Sequence, residues 1–270
     1  MGFVEDLILR HPCRGMDILR PCLPADFCRE AAELILSWPR GETVLLTTGF
    51  YVAGHAETDG PPGTLLLAKA LKSLGFRPVV VTDGLCRGYF ERGGIACTYL
   101  ENDASDETLL ELLDQLSPVG MISVERCGRN LDGDYANMRG VSIAEHTAPV
   151  DRLFELVDLP SVGIGDGGNE IGMGNLAEII REELMLSPCR VTVDKLVIAT
   201  VSNWGALGLC AYLGCLPTET ALEEAYLLAQ KLGHVDGVTR ECTLSEDGFT
   251  LDTVRALHRE LASAAVCCCS

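Results

Sequence analysis

SVGIGDGGNEIGMGNLAEIIREELML, residues 161–186, reads as strand, turn and helix in one run. SVGIG (161–165) has the length and apolarity of a buried strand, and NLAEIIREELML (175–186) spaces its apolar residues as a helix does. Between them, six glycines within residues 163–175 demand a sharp turn or a close backbone approach. GIGDGG (163–168) matches G-x-G-x-x-G letter for letter. A dinucleotide loop also needs an acidic residue about 20 positions on, where the next strand ends. Here that strand ends in Val201-Ser202-Asn203, and the loop follows a late strand rather than the first. Nicotinamide and flavin binding are therefore set aside. No G-x-x-x-x-G-K-[ST] occurs, and GPPGT (60–64) lacks the lysine, which removes a P-loop.

The same strand–loop–helix unit recurs along the chain. Strands are expected at 43–48, 78–83, 95–100, 119–125, 161–165 and 196–201. Helices are expected at 26–38 with Asp26 as N-cap, at 64–75 ending on Gly75, and at 105–116 opened by Ser105. Further helices are expected at 149–158, 175–186 and 203–214, with a mostly helical tail from 219 and a short antiparallel excursion near 238–251. This alternation predicts a doubly wound, mostly parallel, Rossmann-like α/β sheet with helices on both faces. No low-complexity linker divides it. Residues 1–270 are expected to form a single domain, with 1–25 an N-terminal extension and 265–270 a disordered tail.

Of the 270 residues, 47% are hydrophobic and 22% charged, as in folded globular proteins. Runs such as LVIATV (196–201) are too short to cross a bilayer, so a soluble protein is expected. A formal charge of −18 argues against nucleic acid and against an anionic membrane surface as partners. A small anionic ligand would then need a local basic cluster or a metal. None of the thirteen cysteines forms C-x-x-C. Cys28, Cys97, Cys210 and Cys215 read as small core residues in a reducing compartment, and Cys267, Cys268 and Cys269 as part of the tail. Glu5, Asp6 and Asp17 fit neither a signal peptide nor a mitochondrial presequence.

In doubly wound sheets ligands bind beyond the carboxyl ends of the strands. Five polar segments fall there: GFYVAGHAETDGPPG (49–63), Asp83-Gly84, ERCGRNLDGDYANMRG (125–140), GDGGNEIGMGN (165–175) and SNWG (202–205). Asp166, Asn169 and Glu170 offer hard oxygens for Mg²⁺ or Ca²⁺, or an anchor for an ammonium group; the plainer reading is turn and cap hydrogen bonds. Glu125, Asp132 and Asp134 interleave with Arg126, Arg129 and Arg139. Those arginines are either an anion clamp or surface ion pairs. His55, Glu57 and Asp59 sit among Gly and Pro, with His55 either a general base or a surface histidine and His146 a second candidate.

TTGFYV (47–52), ETDGPPGT (57–64), the segment 125–140, EHTAPVDRLF (145–154) and GDGGNEIGMGN (165–175) together resemble the D-glutamate cyclase family. Within it they resemble the C-terminal domain of the animal enzymes, which stands alone in some bacterial proteins. The resemblance runs from about residue 30 to 260. It implies dehydration of D-glutamate to 5-oxo-D-proline, with a small acidic amino acid as ligand, and a mitochondrial matrix setting for the animal members. Without it the setting reads as cytoplasmic.

That reaction needs a base, for which Glu170 or Asp166 is the choice, with His55 and Asp132 as further proton-transfer candidates. Arg126, Arg129 and Arg139 would supply positive charge, and Tyr135, Asn137, Asn169 and Asn203 polar contacts. The N–H groups of Gly165, Gly167 and Gly168 would meet a carboxylate or oxyanion. Asp59, Asp166 and Glu170 are the candidate ligands should Mg²⁺ take part. A non-catalytic acidic amino-acid binding module and a Mg²⁺-dependent enzyme acting on a small phosphorylated metabolite stay open, as does a homo-oligomer.

Overall fold

The computed structural model describes residues 3–268, with side chains to Ala264. Six strands form one sheet: β1 (Thr43–Thr48), β2 (Arg77–Asp83), β3 (Ala96–Leu100), β4 (Pro118–Val124), β5 (Ser161–Gly165) and β6 (Lys195–Ile198). Their spatial order is β3-β2-β1-β4-β5-β6, and every pairing is parallel. The chain winds outward from β1 to β3, then returns to the other side of β1 for β4. This reversal creates a switch point between β1 and β4, where the following loops diverge and leave a crevice.

TVLLTT in β1 is buried throughout because both faces of the sheet are covered. Val44 and Leu46 join the larger core, and Leu45 between them joins the smaller one. The larger core is contributed by α1 (Phe3–Ile8), α2 (Phe27–Ser37) and α3 (Pro61–Ser73). On the opposite face α4 (Asp106–Leu116) packs Leu109, Leu112 and Leu113 against Leu45, Val81 and Met121. The larger side is completed by α5 (Ala177–Glu183), α6 (Ser202–Tyr212), α7 (Glu219–Lys231) and α8 (Leu251–Cys268). The doubly wound α/β architecture is the one the alternation predicts.

Local departures have local causes. The expected helix at 149–158 is two short turns, Val150–Arg152 and Leu153–Leu156, and Val157 is already extended ahead of Pro160. β6 stops at Ile198, and Thr200 instead donates its N–H to the Ile8 carbonyl (2.9 Å). Asp26 stands at the start of α2, but its carboxylate pairs with Arg29. The cap comes from Glu5, whose Oε1 accepts the N–H groups of Cys28 and Arg29 (both 3.2 Å). The segment read as an extension thus buries Val4, Leu7, Ile8, Met16 and Leu19 in the core. Near the C-terminus, Ser245–Glu246 pairs antiparallel with Phe249–Thr250. Part of the segment read as a tail, residues 269 and 270, lies outside the described residues. Among the described residues no helix is long and apolar enough to cross a membrane.

Candidate active site

Three loops and the N-terminal segment meet at the switch point. After β1 the chain makes a small ribbon, Tyr51–Val52 against His55–Ala56, and returns with Glu57, Thr58 and Asp59 beside the end of β4. Gly60 makes that return feasible: its φ is +100°, and a Cβ there would lie 2.6 Å from Thr48 Oγ1 and 2.9 Å from Glu125 Cβ. The loop is stitched to the 235 segment, since Thr58 N–H donates to Val235 O (2.8 Å) and Val235 N–H to Ala56 O (2.9 Å). Glu125, the first residue beyond β4, has φ +46°, an uncommon conformation for a residue with a side chain. Its Oε2 accepts the Ser202 hydroxyl (2.6 Å) from the start of α6.

After β5 the glycine-rich loop brings in Asp166 and Glu170. Glu170 Oε2 accepts the Gly168 N–H (2.7 Å). Asp166 Oδ2 accepts Arg14 Nη2 (2.5 Å), and the same nitrogen pairs with Asp247. Glu57, Glu125, Asp166, Glu170, Asp247 and Arg14 line one cavity of about 360 Å³, with Phe50, Ile143 and Met138 on its walls. Exposed Arg139 and Arg240 also border it. Five carboxylic acids and one guanidinium therefore share a small enclosure.

Burial dominates the electrostatics. Desolvation pushes Glu57, Glu125 and Asp166 well above the ordinary carboxylate range, and neighbouring carboxylates add to it in each case. Glu170 is raised by the same cause, but backbone N–H groups, that of Gly168 foremost, favour its charged form and moderate the rise. Burial disfavours the charge on Arg14, yet Asp166 and Asp247 outweigh it and the guanidinium stays protonated. Glu125, Asp166 and Glu170 each place one oxygen within 4.8 Å of the others. At an effective dielectric near 20, each ionised pair at that spacing repels by about 3 kcal/mol. Such a cluster takes up protons or a cation.

Several other candidate residues serve the walls rather than the cavity. Arg126 is buried and bonds Asp83, Gly49 O (2.9 Å) and Ala148 O (2.7 Å). Arg129 pairs with Asp151 (2.9 Å) and Glu155, and Tyr135 donates its hydroxyl to Asp151 (2.5 Å). Asn203 bridges loops, accepting from Gly60 (3.0 Å) and Gly63 (2.7 Å) and donating to Thr58 O (3.1 Å) and Glu246. Asp59 accepts the N–H groups of Gly60 (2.8 Å), Asn203 (2.7 Å) and Ser202 (2.8 Å), which uses both its oxygens. Asp132 is exposed on an outer turn and accepts the Ser187 hydroxyl (3.0 Å). His55 is exposed outside the cavity lining, and His146 stacks on Tyr51 with ring centroids 4.0 Å apart.

Of the expected anion clamp only Arg139 borders the cavity, on a turn where Asn137 Oδ1 accepts the N–H groups of Arg139 (2.9 Å) and Val141 (3.1 Å). The glycines at 165 and 167 keep room for Glu170, and the Gly168 N–H points to that carboxylate. Arg14, Asp247 and Arg240 escape the sequence reading because nothing beside them in the chain marks a site. Glu57 and Glu125 sit within segments that were singled out, but only the folded chain shows that they converge.

The family described as D-glutamate cyclase-like, C-terminal, matches residues 4–262. The chain belongs to this family. Human mitochondrial D-glutamate cyclase is 32% identical over 212 residues, which is 68% of this chain and 34% of that protein. The D-glutamate cyclase-like chain thus spans about a third of the length of this curated relative. A solved structure of a mandelate oxidase mutant with a monooxide FMN adduct aligns with 97% of the chain and 92% of its own, at 14% identity and a TM-score of 0.24. That likeness is too low to carry any inference.

Proposed function

We propose that this family member is a hydro-lyase that cyclises D-glutamate to 5-oxo-D-proline. The observation that carries the reading is the enclosure of Glu57, Glu125, Asp166 and Glu170 in one small cavity at the sheet's switch point. The name of the human relative points to the same chemistry.

In the overall reaction the α-nitrogen bonds to the carbon of the γ-carboxyl group and one carbon–oxygen bond of that group breaks. Two protons leave the nitrogen, and both depart on that oxygen as water. The site must therefore move protons between two atoms of one ligand, and carboxyl groups whose pKa is raised by burial are suited to this. Glu57 lines the cavity, and no hydrogen bond from a protein donor reaches its carboxyl among the described residues. It is assigned the proton shuttle. Glu170, whose charge backbone N–H groups favour, is the carboxylate that meets the ammonium group before its proton is lost. Arg139 and Arg240, beside the opening, meet the α-carboxylate and offset the acidic interior. The same relative's description supports a mitochondrial setting.

The test is incubation with D- or L-glutamate, with and without EDTA, following 5-oxoproline. Product from D-glutamate is expected. Tight binding of glutamate without product would make the domain a binding module instead, and neither binding nor product would overturn the reading.

A further inference from the structure

The carboxyl groups of the site form two triads that share Asp166: Asp59, Asp166 and Asp247, and Glu125, Asp166 and Glu170. Each residue offers an oxygen within 4.8 Å of the others in its triad. The first triad is satisfied by the protein itself. Arg14 sits on Asp166 and Asp247, and Asp59 is filled by three backbone N–H groups. The second triad is not. Glu125 accepts only the Ser202 hydroxyl and Glu170 the Gly168 N–H, and no Lys, Arg or His among the described residues hydrogen-bonds to either. Arg14 reaches the second triad only through Asp166 Oδ2.

A separate observation points to what completes it. Asn169 lines the same cavity and is 5% exposed. Its Nδ2 donates to Ala136 O (2.9 Å), which fixes the orientation of the amide, and its Oδ1 is buried with no donor. Beside Gly167, the position a Cβ would take lies 3.1 Å from Asn169 Oδ1, 2.7 Å from Glu170 Oε1 and 2.6 Å from Met138 Sδ, so the two oxygens converge on one spot beneath the Met138 thioether. A buried carbonyl oxygen without a donor beside Glu170, in a triad where only Asp166 meets a cation, is the donor set of a hard metal ion.

We propose that Glu125, Asp166, Glu170 and the side-chain oxygen of Asn169 hold one divalent cation, Mg²⁺ or Mn²⁺. The four donors are all oxygens, and the one sulfur beside them, Met138 Sδ, is a neutral thioether, which disfavours zinc and other metals that prefer nitrogen or thiolate sulfur. Oxygen donors from a rigid loop and two strand ends, with the cavity left for water, match the habit of Mg²⁺, which keeps part of its hydration shell. The cation offsets the repulsion within the triad and gives an incoming γ-carboxylate a positive neighbour. That role rests on the cyclase reading, whereas the binding itself does not.

The test uses the full chain, stripped with EDTA and desalted, titrated with MnCl₂ without any amino acid. Free Mn²⁺ is read by its electron paramagnetic resonance signal, and MgCl₂ serves as competitor. One Mn²⁺ per chain is expected, displaced by Mg²⁺, with affinity at least tenfold weaker in Glu125→Gln and Glu170→Gln and several-fold weaker in Asn169→Ala. Should those variants fail to fold, paramagnetic broadening of the wild-type amide spectrum decides. It should centre on Gly167, Gly168 and the Asn169 side chain. No binding at millimolar Mn²⁺, or broadening centred instead on exposed acids such as Glu101 and Asp103, would overturn the proposal. Mn²⁺ binding with no 5-oxoproline formed would keep the site and sink the cyclase reading; product formed without any Mn²⁺ binding would do the reverse.

Discussion

Arg14 is half-buried at the cavity, and it holds two carboxylates whose side chains are 2% and 3% exposed. Replacing it strands both. Arg14→Met is expected to destabilise the fold by about 3 kcal/mol at pH 8, measured by urea unfolding. The loss should shrink toward pH 5, where stranded Asp166 takes up a proton instead of remaining charged; an equal loss at both values would contradict this pairing. Arg14 was invisible in the sequence because its partners lie 152 and 233 residues away. Asp166 and Glu170 were legible, since acidic residues in a glycine loop at a strand end need an explanation that turn geometry supplies only in part. Arg126 illustrates the opposite failure: in so acidic a chain an arginine reads as an anion clamp, yet this one is buried against Asp83 and two carbonyl groups.

The strands were the most legible elements. A parallel strand buried on both faces is apolar along its whole length, so TVLLTT and SVGIG announce themselves without help from their surroundings. The stretch between β4 and β5 was legible only as irregular. Its order comes from distant partners such as Arg129 on Asp151 and Tyr135 on Asp151, which leave no periodicity to read. Among the loops, the return after β1 is the most constrained. At Gly60, alanine would have to accept φ +100° and a Cβ inside contact distance of Thr48 and Glu125. Gly60→Ala is expected to cost at least about 2 kcal/mol and to abolish product formation, because it displaces Glu57 and Glu125 together. Gly54, on the exposed ribbon with open space around it, provides the contrast: Gly54→Ala meets only the strain of φ +93° and should leave the cavity intact, as read by Mn²⁺ affinity.

Across the whole molecule the buried acids set how stability depends on pH. Burial raises Asp59 to about 7 and Glu246 to about 8, from ordinary values of 3.8 and 4.5. Between those limits the folded state keeps protons that the unfolded chain has released, so stability is greatest on the acid side and falls as pH rises through 7 and 8. His234 works in the other direction. Burial lowers it to about 4 from 6.5, so its contribution is present above 6.5 and is lost as pH falls toward 4. Two carboxyls, each displaced further than the histidine, should prevail. The urea midpoint of the metal-free protein is expected to be higher at pH 5.5 than at pH 8, with Mg²⁺ recovering part of the difference. A midpoint that rises steadily from pH 5.5 to 8 would show that these acids are ionised in the folded state.

The acidic enclosure itself is tested most directly by chirally resolved 5-oxoproline formed from D-glutamate by the wild-type protein and by Glu57→Gln, both with Mg²⁺ present. The D-product is expected from the wild type, with turnover lowered about 100-fold or more in the variant while its fold and Mn²⁺ affinity are retained. Equal turnover by the two proteins, or none by a correctly folded wild type, would contradict the account.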